Sequence, residues 1–134
     1  MTYYKNIQLQ ITDIDEATNL VQEIAAKQGF GIVSQFDVDK AFEQKLNLNF
    51  RPYRILGACN PSFAKKAIDA DDKIGTIIPC NIMLQQKKDG IEIAIIDPRV
   101  IMRDINNVKL LQIADEISDK MDWIINQLKS TNNA

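Results

Sequence analysis

A chain of 134 residues, 46% hydrophobic and 25% charged, has the length and composition of one globular domain able to bury its own core. Sixteen basic against eighteen acidic residues leave a net charge of −2, which offers no electrostatic footprint for nucleic acid. There is no histidine, so Ser-His, Cys-His and histidine–metal chemistry are excluded from this chain.

Ile7, Leu9 and Ile11 alternate with Asn6, Gln8 and Gln10, the period-two pattern of a half-buried strand. Thr12 or Asp13 can cap a following helix whose apolar stripe runs Ile14, Ala17, Leu20, Val21, Ile24 and Ala25 and which ends at Gly29. A second strand is expected over 32–36. Asp39 can then cap a short edge helix carrying Phe42 and Leu46. A third strand is expected over 50–59, with Pro52 near its start, where a missing N–H does least harm.

Asn60-Pro61 is a helix start signal, with asparagine as cap and proline at the first helical position. The helix carries Phe63, Ala64, Ala67 and Ile68 and runs into Asp69, Asp71 and Asp72. An acidic C-terminus opposes the helix dipole, so fraying is expected there. Residues 74–85 read as a strand interrupted by Pro79. Asp89-Gly90 is the pair of a tight hairpin, and Ile91, Ile93 and Ile95 supply the partner strand. From Asn107 to Lys129 the stripe Leu110, Ile113, Ala114, Ile117, Met121, Ile124 and Leu128 predicts a long helix, with Trp123 off its main line as core rim. One domain is expected over 1–130, with 131–134 a polar tail that begins to fray at Ser130.

Five strands, one hairpin and two principal helices exclude an all-parallel sheet. They suit an α+β sandwich: an antiparallel sheet in β-α-β(4)-α order, with both long helices on one face and short helices in the connections. Helices of about 22 and 15 residues cover about 33 and 22 Å. A five-stranded sheet is roughly 24 Å wide. One face is thus covered; the other must be polar, bind a ligand or pair with a second subunit.

The chemistry concentrates around Phe50-Arg51-Pro52-Tyr53-Arg54-Ile55-Leu56-Gly57-Ala58-Cys59-Asn60-Pro61 and Pro79-Cys80-Asn81. Cys59 stands just before a helix N-terminus, a position that favours thiolate. Cys80 joins it if their strands run antiparallel. Against this, free cysteine is commonly a small buried hydrophobe. Two sulfurs without histidine are too few for zinc, and nothing points to a secreted disulfide. Arg51 and Arg54, three apart on a strand, face opposite sides and cannot form one clamp; Arg51 is the better anion candidate. Gly57 within a strand implies a bulge or a close approach. Asn60 already caps a helix, so its role as ligand competes with that one. Asp37 with Asp39, and Asp69 with Asp71 and Asp72, read as solvated surface.

The two cysteine segments, with Gly-Phe-Gly-Ile-Val at 29–33 and Ile-Asp-Pro at 96–98, resemble the family known as domain of unknown function 302 over nearly the whole chain. That resemblance implies a small bacterial or archaeal protein with a TATA-binding-protein-like α+β fold and a homodimer. It singles out Arg51, Pro52, Tyr53, Gly57, Cys59, Asn60, Pro61, Pro79, Cys80, Asn81, Asp97 and Pro98. It implies no activity.

The functional expectation is a ligand-binding or thiol-responsive module whose site gathers Cys59, Asn60, Cys80 and Asn81, with Arg51 or Tyr53 at its rim. A soft metal ion on Cys59 and Cys80, or a thiol-reactive small molecule, suits those atoms. The alternative is a homodimerisation module with inert cysteines. An enzyme with Cys59 as nucleophile is the weakest of the three, since no histidine can serve as its base. No apolar stretch nears the roughly 20 residues of a membrane span, and residues 1–5 lack a signal-peptide pattern, so a cytoplasmic protein without membrane or nucleic-acid partners is expected.

Overall fold

The structure, a computed structural model, describes residues 2–132. Strands β1 (Tyr4–Leu9), β2 (Gly31–Asp37), β3 (Tyr53–Cys59), β4 (Cys80–Lys87) and β5 (Gly90–Ile96) form one antiparallel sheet in the order β1-β5-β4-β3-β2. Helices α1 (Ile14–Ala26), α2 (Val38–Leu46), α3 (Pro61–Ala70), α4 (Pro98–Ile101) and α5 (Val108–Thr131) occupy the connections and the C-terminal end. With the short α2, α3 and α4 set aside, this is the expected β-α-β(4)-α order.

Strand alternation decides which residues meet the helices. Ile7 pairs with Ile93, which pairs with Leu84; Ile95 pairs with Ile82, which pairs with Leu56. All six are buried, and the apolar stripes of α1 and α5 close over them. The intervening residues, among them Tyr53, Met83, Glu92 and Ala94, belong to the opposite face, which α1 and α5 leave uncovered.

Arg54 alternates onto the helix side and is buried there. Its Nε donates to Asp37 at 2.6 Å, and its Nη1 donates to Asp15 and to Thr18 Oγ1, both at 2.9 Å. This ties β3 to β2 and α1. Burial pushes the Asp37 carboxyl up, but Arg54, with help from Gln35 and Lys40, outweighs it and holds the pKa below the ordinary value. The expectation that Asp37 is merely solvated surface is thus corrected: it is the partner that makes a buried guanidinium tolerable.

Four other expectations change. Residues 74–79 are not strand: Ile74–Thr76 forms one turn of 3₁₀ helix, and β4 starts only at Cys80. Asp71 accepts the Lys73 N–H, and the Thr76 hydroxyl donates to the Lys73 carbonyl, local bonds that compete with a ladder. The end of α3 is not left to fray, because Asn107 Nδ2 donates to the Ala70 carbonyl at 3.1 Å while its Oδ1 caps α5. Asp39 caps no helix; it accepts the Tyr53 N–H at 3.0 Å. Finally, Ser130 and Thr131 belong to α5, and the Asn132 amide bonds to the Gln8 carbonyl and the Gln10 N–H. Asn133 and Ala134 of the expected tail lie outside the described residues.

Candidate functional site

Cys59 ends β3 and Cys80 opens β4, and because these strands are antiparallel neighbours, Ala58 stands opposite Cys80. Both cysteines are free and half-buried. They line one narrow, almost wholly apolar cavity of about 30 Å³, walled by Phe30, Phe63, Ile78 and Met102. That volume holds a water-sized atom or two and excludes a metabolite. Burial, and after it a like charge on Cys59, pushes the Cys80 thiol up to about 11. At neutral pH Cys80 is therefore protonated.

Asn60 lines the same cavity but its amide is committed. Oδ1 accepts the Phe63 N–H at 3.4 Å, and Nδ2 donates to the Gln28 carbonyl at 3.2 Å, joining the start of α3 to the end of α1. This close joint explains Gly29: a Cβ there would lie 2.8 Å from Asn60 Nδ2. Gly57 marks the close approach that its place in a strand implied. A Cβ at Gly57 would sit 2.3 Å from Ser34 Oγ, beside the β2 bulge, and 2.9 Å from Pro79 Cγ. The approaching groups are Ser34 and Pro79 of neighbouring segments rather than a ligand.

The remaining candidates do not join the cysteines. Tyr53 begins β3, a strand length of roughly 20 Å from Cys59. Asn81 follows Cys80 and so belongs to the opposite face of the sheet. Tyr53 and Asn81 line a separate hollow of about 340 Å³ on the uncovered face. Arg51 stands beside it: its Nε donates to Gln85 Oε1 at 2.9 Å, and its guanidinium lies 4.4 Å from the Phe50 ring centroid and 5.9 Å from that of Tyr53. Cys59, Asn60 and Cys80 thus border the helix-side cavity, while Arg51, Tyr53 and Asn81 stand on the open side. Cys59 does so from the last position of β3, where alternation gives it the parity of Gly57 and Tyr53 rather than that of Ala58.

The pairing of two cysteine-bearing segments across a helical excursion is the arrangement on which the resemblance to a known family rested, and the model of that family, described as domain of unknown function DUF302, matches residues 6–128. The chain belongs to the DUF302 family. The crystal structure of an uncharacterized conserved DUF302 protein from Bacillus stearothermophilus is similar, with a TM-score of 0.86 and 23% identity over 96% of this chain and 99% of that one. This likeness shows the fold alone. No curated protein matches the chain. Among the described residues, no helix is long and apolar enough to cross a membrane, and no group of three or more His, Cys, Asp or Glu side chains could hold a metal ion.

Sequence reasoning about this DUF302 chain missed Met102, the third sulfur in the cysteine cavity. Asp97-Pro98 was its only trace: Asp97 caps the one-turn α4, accepting the Arg99 N–H at 3.1 Å and the Ser118 hydroxyl at 2.7 Å, and so anchors the turn that carries Met102 inward. Glu92 and Gln85, hydrogen-bonded on the open face, were likewise hidden in what read as plain strand alternation.

Proposed function

We propose that this DUF302 protein is a non-catalytic binding module that holds one soft monovalent metal ion among Cys59, Cys80 and Met102. The observation that carries this reading is that three sulfur-bearing residues, Cys59, Cys80 and Met102, line a single apolar cavity of ionic rather than metabolite size. Soft thiolate and thioether ligands favour Cu(I) over harder cations, which prefer oxygen or imidazole. Each thiol that binds exchanges its proton for the metal, S–H and M⁺ giving S–M and H⁺. Coordination supplies the driving force to deprotonate even a raised thiol such as Cys80. Helix α3 begins at Pro61, with the capping Asn60 between it and Cys59, and its N-terminal dipole offsets the negative charge left by two thiolates on one monovalent ion.

The test is transfer of Cu(I) from its bathocuproine disulfonate complex to the reduced full chain, followed by the fall of the chelator's visible absorbance. One ion per chain is expected, with Cys80→Ser weakening binding about a hundredfold and Met102→Leu about tenfold, while circular dichroism verifies the fold of each variant. Transfer no greater than to two equivalents of glutathione, or full retention by folded Cys80→Ser, refutes the reading.

A further inference from the structure

We propose that the hollow on the uncovered sheet face is a binding site for a small methylated ammonium cation, independent of the cysteine cavity on the other side. The register explains why a hollow exists there. Across the open face, Tyr53, Gln85 and Glu92 form one row and Met83, Ala94 and Asn6 the next. The methyl of Ala94 is the short member of the second row, and the space above it, rimmed by Tyr3 and Tyr4, measures about 340 Å³.

The chemistry of the wall selects the ligand. Glu92 is the one charged side chain among the described residues that line the hollow. Among the described residues no cation pairs with it: Oε1 accepts Gln85 Nε2 at 2.6 Å and Oε2 accepts Asn6 Nδ2 at 2.9 Å, neutral donors that fix the carboxylate without cancelling its charge. The nearby Arg51 donates to Gln85 and is held over Phe50, closer to that ring than to Tyr53. The hollow that Glu92 lines is rimmed by the rings of Tyr3 and Tyr4, packed edge to face at 5.1 Å, and of Tyr53, whose centroid lies 5.9 Å from the Arg51 guanidinium. Aromatic rings with a single carboxylate attract a cation, and a methylated ammonium is weakly hydrated and needs no hydrogen-bond acceptor of its own, so ring faces serve it best.

The experiment titrates the isotope-labelled full chain with choline and with its neutral carbon isostere, 3,3-dimethyl-1-butanol, following amide chemical shifts. Saturable shifts in β1, β4 and β5 are expected with choline in the millimolar range, at least tenfold weaker with the isostere. Ala94→Leu fills the hollow and removes the shifts; Tyr3→Ala, at a side chain 58% exposed and so of little consequence for folding, weakens binding severalfold. Equal affinity for the isostere would reduce the hollow to an apolar dent. Absence of saturation would eliminate the site. A dimer in sedimentation velocity that leaves choline unbound would assign the face to a second copy of the chain. Each of these three results overturns the proposal.

Discussion

Peptide-resolved alkylation tests the state of Cys80. A thiol near 11 instead of the ordinary 9.0 has about a hundredfold less thiolate at neutral pH. The more basic thiolate is the better nucleophile, and with a sensitivity of about 0.4–0.5 per pKa unit it recovers about six- to tenfold of that loss. Folded protein should therefore modify at Cys80 about ten- to fifteenfold more slowly than protein in urea. Blocked access would also slow the reaction, so pH separates the causes: the rate should keep rising tenfold per pH unit beyond 9 and level near 11. A slow rate that levels near 9 would show steric shielding without a displaced titration and would refute the reasoning. The same shift has a stability consequence. A raised folded-state value means stability that is complete below pH 9 and is lost as pH rises toward 11, so wild type and Cys80→Ser should converge or cross in alkaline melts.

Arg54→Ala should destabilise by about 3 kcal/mol in urea melts, because it strands the mostly buried Asp37 carboxylate; a loss below about 1 kcal/mol would mean that water compensates Asp37. Asp15→Asn, at a side chain 73% exposed, should change stability by less than about 1 kcal/mol. The depressed Asp37 contributes stability that is present above its ordinary 3.8 and disappears as pH falls through its lower folded-state value. The gap between wild type and Asp37→Asn should accordingly narrow only below about pH 4. Gly57→Ala should cost about 1–3 kcal/mol through overpacking, part of it recovered in Ser34→Ala, since Ser34 Oγ yields its space while the Pro79 ring remains.

Periodicity was enough to read the layers. The alternation of Ile91, Ile93 and Ile95 and the stripe from Leu110 to Leu128 are requirements of burial, and burial is what a sequence encodes most directly. Asn60-Pro61 was equally legible, because capping is settled within four residues. The site was legible in part, for a geometrical reason. Sequence nearness gathered Arg51, Tyr53, Cys59 and Asn81 into one picture, whereas a strand separates neighbours by face and distant positions by length. Met102 could not be foreseen, since its place depends on Asp97, Ser118 and the packing of α4 on α5, contacts between segments some twenty residues apart. The role of Asp37 failed to show for a related reason: its partner Arg54 lies on another strand.

The sheet is then a partition, and that has a measurable consequence. β4 presents Cys80 to the helix side and Asn81 to the open side, and the cavity and the hollow share no lining residue. Met102→Ala, at a buried side chain, should cost about 2–5 kcal/mol as a cavity opens. Ala94→Leu perturbs only the opposite face. The one neighbour the two positions have in common among the described residues is Ile96, which lines the hollow and a small cleft beside Met102. With so little shared, the double variant should equal the sum of the two within about 0.5 kcal/mol in urea denaturation. A coupling above about 1 kcal/mol would mean that the backbone of β4 and β5 shifts as a unit when either face is altered. The two faces would then be one responsive element, and occupancy of the sulfur cavity would be felt at the tyrosine-rimmed hollow.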